Sequence, residues 1–221
     1  MGEIVKVGSE NVQVSGYLSM PRTSQGPGVI VLHAWWGLNE FFKGFCDRLA
    51  GKGFTVFAPD LYKGRVARTR EEAKELMTQQ DSKYLETSVM ASADYLASHP
   101  AVKGRRVGVV GFSMGANSAL WLSSKKPDLH AVVLFYGTGE EDFSKSRASF
   151  QGHFAEDDEF EPKEGVLKLE KLISSAGKEV EFFYYPKAKH WFFEEDRPEY
   201  DDKAARLAWE RTVHFLDSKL K

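Results

Sequence analysis

The chain has 221 residues, of which 42% are hydrophobic and 28% charged, as in ordinary globular proteins. Its formal net charge of -2 gives no general attraction to nucleic acid or to an anionic membrane. No apolar run approaches the roughly 18 residues of a spanning helix, and the N-terminus lacks the apolar core of a signal peptide. The single Cys46 rules out an internal disulfide. We therefore expect one cytoplasmic domain over residues 1–221.

Strands and helices are predicted to alternate along the chain. Residues 3–19 alternate apolar and polar side chains around a turn cluster at residues 8–11, which predicts an antiparallel hairpin at a sheet edge. Short runs of apolar, β-branched or aromatic residues predict further strands at 29–32, 54–58, 106–110, 131–136, 149–154 and 180–185. Helical spacing and capping residues predict helices at 39–52, 70–80, 82–98, 114–125, 162–176 and 201–220. This alternation predicts an α/β fold with a mostly parallel central sheet and helices on both faces.

The sharpest motif is Gly-x-Ser-x-Gly at residues 111–115, between a valine-rich strand and a predicted helix. Gly111 and Gly115 flank Ser113 two residues away on each side. Small residues are needed there in a nucleophile elbow, because its strand-to-helix turn is sharp and strained. A glycine-rich turn without chemistry is the alternative reading, but the strand and helix around the motif favour a nucleophile.

A nucleophilic serine needs a base, and the base needs an acid that orients it. Reactive groups of open α/β sheets collect at the carboxyl ends of strands, and the expected chain order is serine, acid, histidine. Of the six histidines, only His190 combines that order with a loop after the last predicted strand. The acid lies in the acidic run at residues 156–159, which follows the preceding strand. A metal site built from His153 and these acids is a further reading of the same run.

The chain resembles the dienelactone hydrolase family of α/β-hydrolases over nearly its whole length. The resemblance is carried by five segments, at residues 31–39 (Val-Leu-His-Ala-Trp-Trp-Gly-Leu-Asn), 58–62 (Ala-Pro-Asp-Leu-Tyr), 111–115, 158–162 (Asp-Glu-Phe-Glu-Pro) and 185–192. It implies an α/β-hydrolase fold. The family's acid precedes a Phe-x-Pro pattern, which selects Asp158, with Asp157 as the alternative. The family's oxyanion hole corresponds to the backbone N–H groups of Met114 and Trp35.

The sequence departs from the family pattern in two ways. The best-known members resemble cysteine enzymes, with a glutamate one residue beyond the position of His33; this chain has Ser113 as the nucleophile and Ala34 at the glutamate position. Family members also hold a substrate carboxylate with arginines. Arg70 matches one of these, with Arg68 as the alternative, but Glu194 stands at the other. A carboxylate would be repelled there, so we do not expect specificity for dienelactone itself.

Aromatic side chains at strand ends are expected to line the substrate pocket and to favour an apolar or aromatic ester. With the arginine above, the expected substrate-binding residues are Trp36, Tyr62, Arg70, Phe112 and Trp191.

The sequence therefore predicts a carboxymethylenebutenolidase-type serine hydrolase that cleaves carboxylic esters or lactones through Ser113, His190 and Asp158 and an acyl-enzyme. No metal or organic cofactor is expected. The expected partner is a small-molecule ester or lactone, with no nucleic acid and no membrane, and the chain is expected to be a monomer or a small homo-oligomer. Alternatives are an acyltransferase or peptidase on the same scaffold, or a non-catalytic ligand-binding homologue, which would be expected to lose a triad residue.

Overall fold

A computed structural model describes residues 2–9 and 12–221. Within these residues, strands and helices follow one another in the predicted order. The strands are β1 Glu3–Ser9, β2 Val12–Ser19, β3 Gly26–Leu32, β4 Thr55–Pro59, β5 Val102–Phe112, β6 Ala131–Phe135, β7 Ser149–Ala155 and β8 Val180–Tyr185. The helices are α1 Glu40–Gly51, α2 Arg70–Thr78, α3 Ser82–Ser98, α4 Met114–Lys125, α5 Lys163–Ser175 and α6 Asp202–Leu220. Every predicted element is present, although β3 and β5 are longer than expected.

The chain divides into two compact units, Met1–Val107 and Gly108–Lys221. In the first unit the strand order is β1-β2-β4-β3, followed by the first part of β5. Strand β2 pairs antiparallel with both β1 and β4, which confirms the predicted hairpin, and β3 pairs parallel with β4. Residues 10 and 11 of the predicted turn lie outside the described residues.

The second unit contains the rest of β5 and the parallel order β5-β6-β7-β8. Strand β6 is buried along its whole length, as a strand covered on both faces must be. Parallel neighbours end at the same edge of the sheet, so the loops after β5, β7 and β8 are brought to one side. These loops contain Ser113, Asp158 and His190.

The parallel pairing confirms the predicted α/β class. The single domain expected over residues 1–221 stays a prediction. No helix in the described part of the chain has the length and apolar character needed to cross a membrane.

Candidate active site

Ser113 occupies a strained turn between β5 and α4. Its φ of 51° and ψ of -114° lie outside the regions that a side-chain-bearing residue ordinarily adopts. The turn is packed too closely for side chains on its neighbours: a Cβ added to Gly111 would collide with the Gly115 carbonyl, and one added to Gly137 would lie 2.5 Å from the Ser113 carbonyl oxygen. The Ser113 N–H donates to the Phe135 carbonyl at 2.8 Å. These contacts hold the serine in the geometry of a nucleophile elbow.

The structure brings Ser113, His190 and Asp158 together in one chain of hydrogen bonds. Ser113 Oγ lies 2.9 Å from His190 Nε2. His190 Nδ1 lies 2.8 Å from Asp158 Oδ2 and 2.9 Å from Oδ1. A carboxylate only accepts hydrogen bonds, so Nδ1 donates to Asp158 and Nε2 is left to accept the serine hydroxyl proton. That is the tautomer a general base needs.

The position of Asp158 distinguishes it from Asp157. The side chains of Asp158 and His190 are only 2% and 3% exposed, whereas Asp157 is exposed to solvent. Asp158 Oδ1 also accepts the backbone N–H groups of Phe160 at 2.8 Å and Glu161 at 3.0 Å. These two donors fix the carboxylate in the loop after β7, so the geometry favours Asp158 as the partner of His190.

Three aromatic rings surround the His190 imidazole. The ring centroids of Tyr136, Phe160 and Trp191 lie 4.9, 4.9 and 4.8 Å from that of His190. Tyr136 and Trp191 are buried, and Phe160 is 42% exposed. The sequence predicted a site role for Trp191 only. Tyr136 and Phe160 were missed because each follows its strand in a loop, where no periodicity separates a site residue from a core residue.

Four of the predicted site residues lie in the first unit. Trp35 is partly exposed in the loop after β3, and Trp36 and Tyr62 are each 2% exposed. Arg70 is exposed at the first residue of α2. The loop containing the tryptophans is held to residues 61–67, because the Ala67 N–H donates to the Trp36 carbonyl at 2.9 Å.

A buried histidine supports the same loop of the first unit. His33 Nε2 accepts the Leu61 N–H at 3.1 Å, and Nδ1 lies 2.7 Å from the Ala34 carbonyl oxygen. Burial lowers the pKa of His33, so the ring is neutral and can donate at one nitrogen and accept at the other. The sequence indicated no such role for His33.

Two predicted residues flank Ser113 in the chain. Met114 begins α4, so its N–H belongs to the first turn of that helix. Phe112 is fully buried and stacks on Phe135, with ring centroids 4.5 Å apart. This places the Phe112 side chain in the core, and its expected contact with substrate remains a prediction.

Glu194 differs from the open anion that its place in the sequence suggested. The residue is fully buried, and its Oε1 accepts the Tyr136 hydroxyl at 2.8 Å. Burial raises the pKa of Glu194 to about 8, although the Tyr136 hydrogen bond partly opposes this. At neutral pH the carboxyl is therefore mostly protonated and uncharged. A sequence-based argument treats every glutamate as charged unless burial is known.

In the part of the chain that the structure describes, no group of three or more His, Cys, Asp or Glu side chains could hold a metal ion. His153, the histidine considered for such a site, is fully buried in a polar network. Its Nδ1 lies 2.8 Å from the Tyr185 hydroxyl, and Nε2 lies 3.0 Å from Thr212 Oγ1 and 3.1 Å from Gln151 Oε1. Burial and the nearby Arg211 lower the pKa of His153 to about 3. This histidine is a neutral internal connector between β7, β8 and α6.

Comparison with known proteins identifies the family. The sequence profile described as the dienelactone hydrolase family matches residues 14–220. "Protein usf" of Aquifex pyrophilus is 35% identical over 231 residues, and a protein of Aquifex aeolicus named "Putative carboxymethylenebutenolidase" is 33% identical over 232 residues; each match spans the whole of both chains.

Among solved structures, a dienelactone hydrolase-like promiscuous phosphotriesterase from metagenomic libraries superposes with a TM-score of 0.86. The two chains are 22% identical, and the match covers 100% of this chain and 99% of the other, so it concerns the fold. The expected α/β-hydrolase fold is confirmed, with a mostly parallel sheet that begins with an antiparallel pair. The profile match and the relatives also confirm the expected family, and the chain belongs to the dienelactone hydrolase family.

Proposed function

We propose that the protein is a serine hydrolase that cleaves carboxylic esters or lactones, with Ser113 as nucleophile, His190 as base and Asp158 as the acid that orients the base. Membership of the dienelactone hydrolase family supports a carboxylic ester hydrolase. The observation that carries the finer proposal is the continuous pair of contacts from Ser113 Oγ to His190 Nε2, at 2.9 Å, and from His190 Nδ1 to Asp158 Oδ2, at 2.8 Å.

The reaction follows from the donors and acceptors. Ser113 Oγ forms a bond to the carbonyl carbon while its proton moves to His190 Nε2, and the imidazolium is stabilised by Asp158. The bond to the leaving alkoxide then breaks, and that alkoxide takes the proton from Nε2. Water next attacks the acyl-enzyme, again giving its proton to Nε2, and the carboxylic acid leaves as Ser113 recovers its proton. A lactone follows the same steps, with both products in one molecule.

The negative oxygen that forms in each attack needs hydrogen-bond donors. We assign this role to the backbone N–H groups of Met114 and Trp35, because their segments resemble those that form the family's oxyanion hole. The position of Met114 in the first turn of α4 supports its part, because the amide dipoles at a helix start favour negative charge. Losing one such donor typically costs about 10²- to 10³-fold in rate.

The proposed substrate is an apolar or aromatic ester rather than a small ester or lactone that carries a carboxylate. Glu194 stands where family members place a second arginine, and its buried neutral carboxyl offers no positive charge to a substrate carboxylate. The ring of Phe160 is partly exposed beside His190 and offers apolar surface instead. Arg70 remains the residue proposed to meet any substrate anion, because it is exposed.

A serine-directed fluorophosphonate tests the nucleophile. We expect one phosphonyl group per chain, located by peptide mass spectrometry at Ser113, and no label in Ser113→Ala or in acid-denatured protein. Labelling at another residue, or no labelling of the folded protein, would refute the assignment.

A matched pair of p-nitrophenyl esters, one neutral and one ending in a free carboxylate, tests the substrate class. We expect a higher kcat/KM for the neutral ester, and a larger difference in Arg70→Gln if Arg70 attracts anions, because only the carboxylate ester loses that attraction. A strong preference for the carboxylate would overturn the proposed substrate class while leaving the nucleophile intact.

A further inference from the structure

We propose that Glu194 is a positioning residue that acts through Tyr136 to hold His190 in the orientation the triad needs. The inference rests on the proposed function, because it concerns the base of that reaction. It adds a buried two-residue support, defined here as the Glu194–Tyr136 support.

The hydrogen bonds of His190 leave small rotations of its ring to be limited by packing. They fix Nε2 against Ser113 and Nδ1 against Asp158, which are two points on the imidazole. The imidazole is also joined to the chain through its Cβ, so the motion left to it is a small rotation about its two side-chain bonds, which the rings packed against it oppose. Phe160 is 42% exposed, whereas Tyr136 and Trp191 are buried; Trp191 is the next residue after His190, so of these three only Tyr136 is a buried ring from another part of the chain. Tyr136 is therefore suited to restrict the tilt of the imidazole.

The backbone of Tyr136 is tied to the nucleophile as well as to the base. It adopts a φ of 37°, which is uncommon for a residue other than glycine. Its N–H donates to the His153 carbonyl at 2.9 Å, and Gly137 packs directly against the Ser113 carbonyl. A residue in this conformation must be held by its surroundings. At the far end of the ring, the hydroxyl has the Glu194 carboxyl as its partner.

Burying the Glu194 carboxyl has a desolvation cost, which argues against a residue that serves only to fill space. It is fully buried, and in the described residues its Oε2 has no hydrogen-bond partner. An apolar side chain of similar size would avoid this desolvation cost. The Glu194 N–H donates to the Trp191 carbonyl at 2.9 Å, so Glu194 belongs to the turn that directly follows His190. Glu194 thus joins the loop of the base to the ring that supports the base.

The charge of the Glu194–Tyr136 support is set by the groups that face it. Asp196 and Glu199 raise the pKa of Glu194 further, Arg197 lowers it, and the result is about 8. The pKa of Tyr136 lies well above its ordinary value because of burial and the negative groups Glu194, Asp196 and Asp158. Between pH 7 and pH 9, Glu194 is therefore the member of the pair that ionises.

Ionisation of Glu194 would weaken the support. An ionised Glu194 accepts the Tyr136 hydroxyl more strongly, but the desolvation cost of its buried charge is larger than this gain, so the side chain is stabilised by turning toward water and releasing the hydroxyl. The Tyr136 ring would then lose the hydrogen bond that holds it, and the His190 imidazole would lose the support of that ring. We therefore expect kcat to decline at alkaline pH, and we expect the ionisation of Glu194 to cause this decline.

The test is the pH dependence of kcat and KM for p-nitrophenyl acetate in the wild type, Glu194→Gln, Tyr136→Phe and Glu195→Gln. We expect wild-type kcat to fall about five- to tenfold between pH 7 and pH 9, because a carboxyl with a pKa of about 8 goes from about nine-tenths to about one-tenth protonated. Glu194→Gln cannot ionise but keeps an oxygen acceptor for the Tyr136 hydroxyl, so its kcat should lack this fall. Glu195 is exposed, and Glu195→Gln should keep the wild-type profile.

Tyr136→Phe keeps the ring and removes the hydroxyl that donates a hydrogen bond to Glu194. We expect its kcat at pH 7 to fall about tenfold with KM within about twofold, as for a base held less firmly. Circular dichroism at each pH must show folded protein. A wild-type profile in Glu194→Gln, or unchanged kcat in Tyr136→Phe, overturns the inference. Failure of the proposed function would appear differently, as full activity in Ser113→Ala.

Discussion

Replacing Glu194 by glutamine should change how the stability of the protein depends on pH. The carboxyl has a pKa of about 8 in the folded chain and an ordinary value of 4.5 when exposed. Between these values the folded state keeps a proton that the unfolded state has lost. The free energy of unfolding therefore falls as the pH rises, with the contribution fully present below 4.5 and lost above about 8.

The magnitude follows from the separation of the two pKa values. A separation of about 3.5 corresponds to about 5 kcal/mol, at about 1.4 kcal/mol for each pH unit. This is an upper bound, because relaxation and water entry reduce the cost of a buried charge. A glutamine at position 194 removes the dependence but adds a constant cost for its buried amide. The informative quantity is therefore the change with pH in the stability difference between variant and wild type.

Urea unfolding at 25 °C, repeated at intervals between pH 5 and pH 9, measures that difference. We expect the stability of Glu194→Gln to gain on that of the wild type steadily as the pH rises toward 8, and to gain progressively less between pH 8 and pH 9. Glu195→Gln, which changes an exposed carboxyl on the same turn, should keep a small and constant difference. A flat difference for Glu194→Gln across this range would show that Glu194 is already ionised, and the reasoning about its burial would be wrong.

Three further predictions concern the triad, the elbow and the buried histidine. Asp158→Asn should lower kcat for p-nitrophenyl acetate by about 10⁴-fold, because the imidazole loses the partner that sets its tautomer, while Asp157→Asn should stay within about threefold; the reverse order would move the acid to Asp157. Gly137→Ala places a Cβ 2.5 Å from the Ser113 carbonyl oxygen, so urea unfolding should show a loss of about 1–3 kcal/mol, together with lower kcat; an unchanged stability would contradict the close packing of the elbow. His153 has a pKa of about 3 when folded, so the unfolded chain binds a proton first and stability should fall as the pH drops below about 6.5; His153→Gln should lose part of that acid sensitivity in urea titrations, and an identical acid profile would contradict a neutral, buried His153.

The elements of the fold were accessible from the sequence because their signals are local. Helix α1 is an example: Asn39 accepts the Phe42 N–H as an N-cap, and the apolar residues that follow lie on the buried face. Strand β5 was predicted four residues too short at its start. The missed part is mostly exposed and includes Gly104 and Arg105, both with positive φ, so no alternation of apolar residues marks it. Its strand conformation depends on neighbours that are distant in sequence.

The difference between local signals and contacts distant in sequence also explains which site residues could be predicted. Ser113, Asp158 and His190 follow three strands of a parallel sheet, and topology alone brings such loops to one edge, so their order in the chain was enough to propose them. Tyr136 and Glu194 are 58 residues apart, and their contact depends on how the loops after β6 and β8 pack. No spacing rule links them. Sequence reasoning therefore identified the groups that we propose to react and missed the groups that we propose to support them.

The state of Glu194 also bears on the proposed substrate class. A protonated carboxyl carries no charge while still accepting the Tyr136 hydroxyl. This neutrality removes the electrostatic penalty of Glu194 on a substrate carboxylate, so we expect the proposed preference for neutral esters to come from the missing positive charge and not from repulsion. The preference should then persist at pH 6, where Glu194 is fully protonated, and a preference that appears only above pH 8 would assign it to the ionised carboxylate instead.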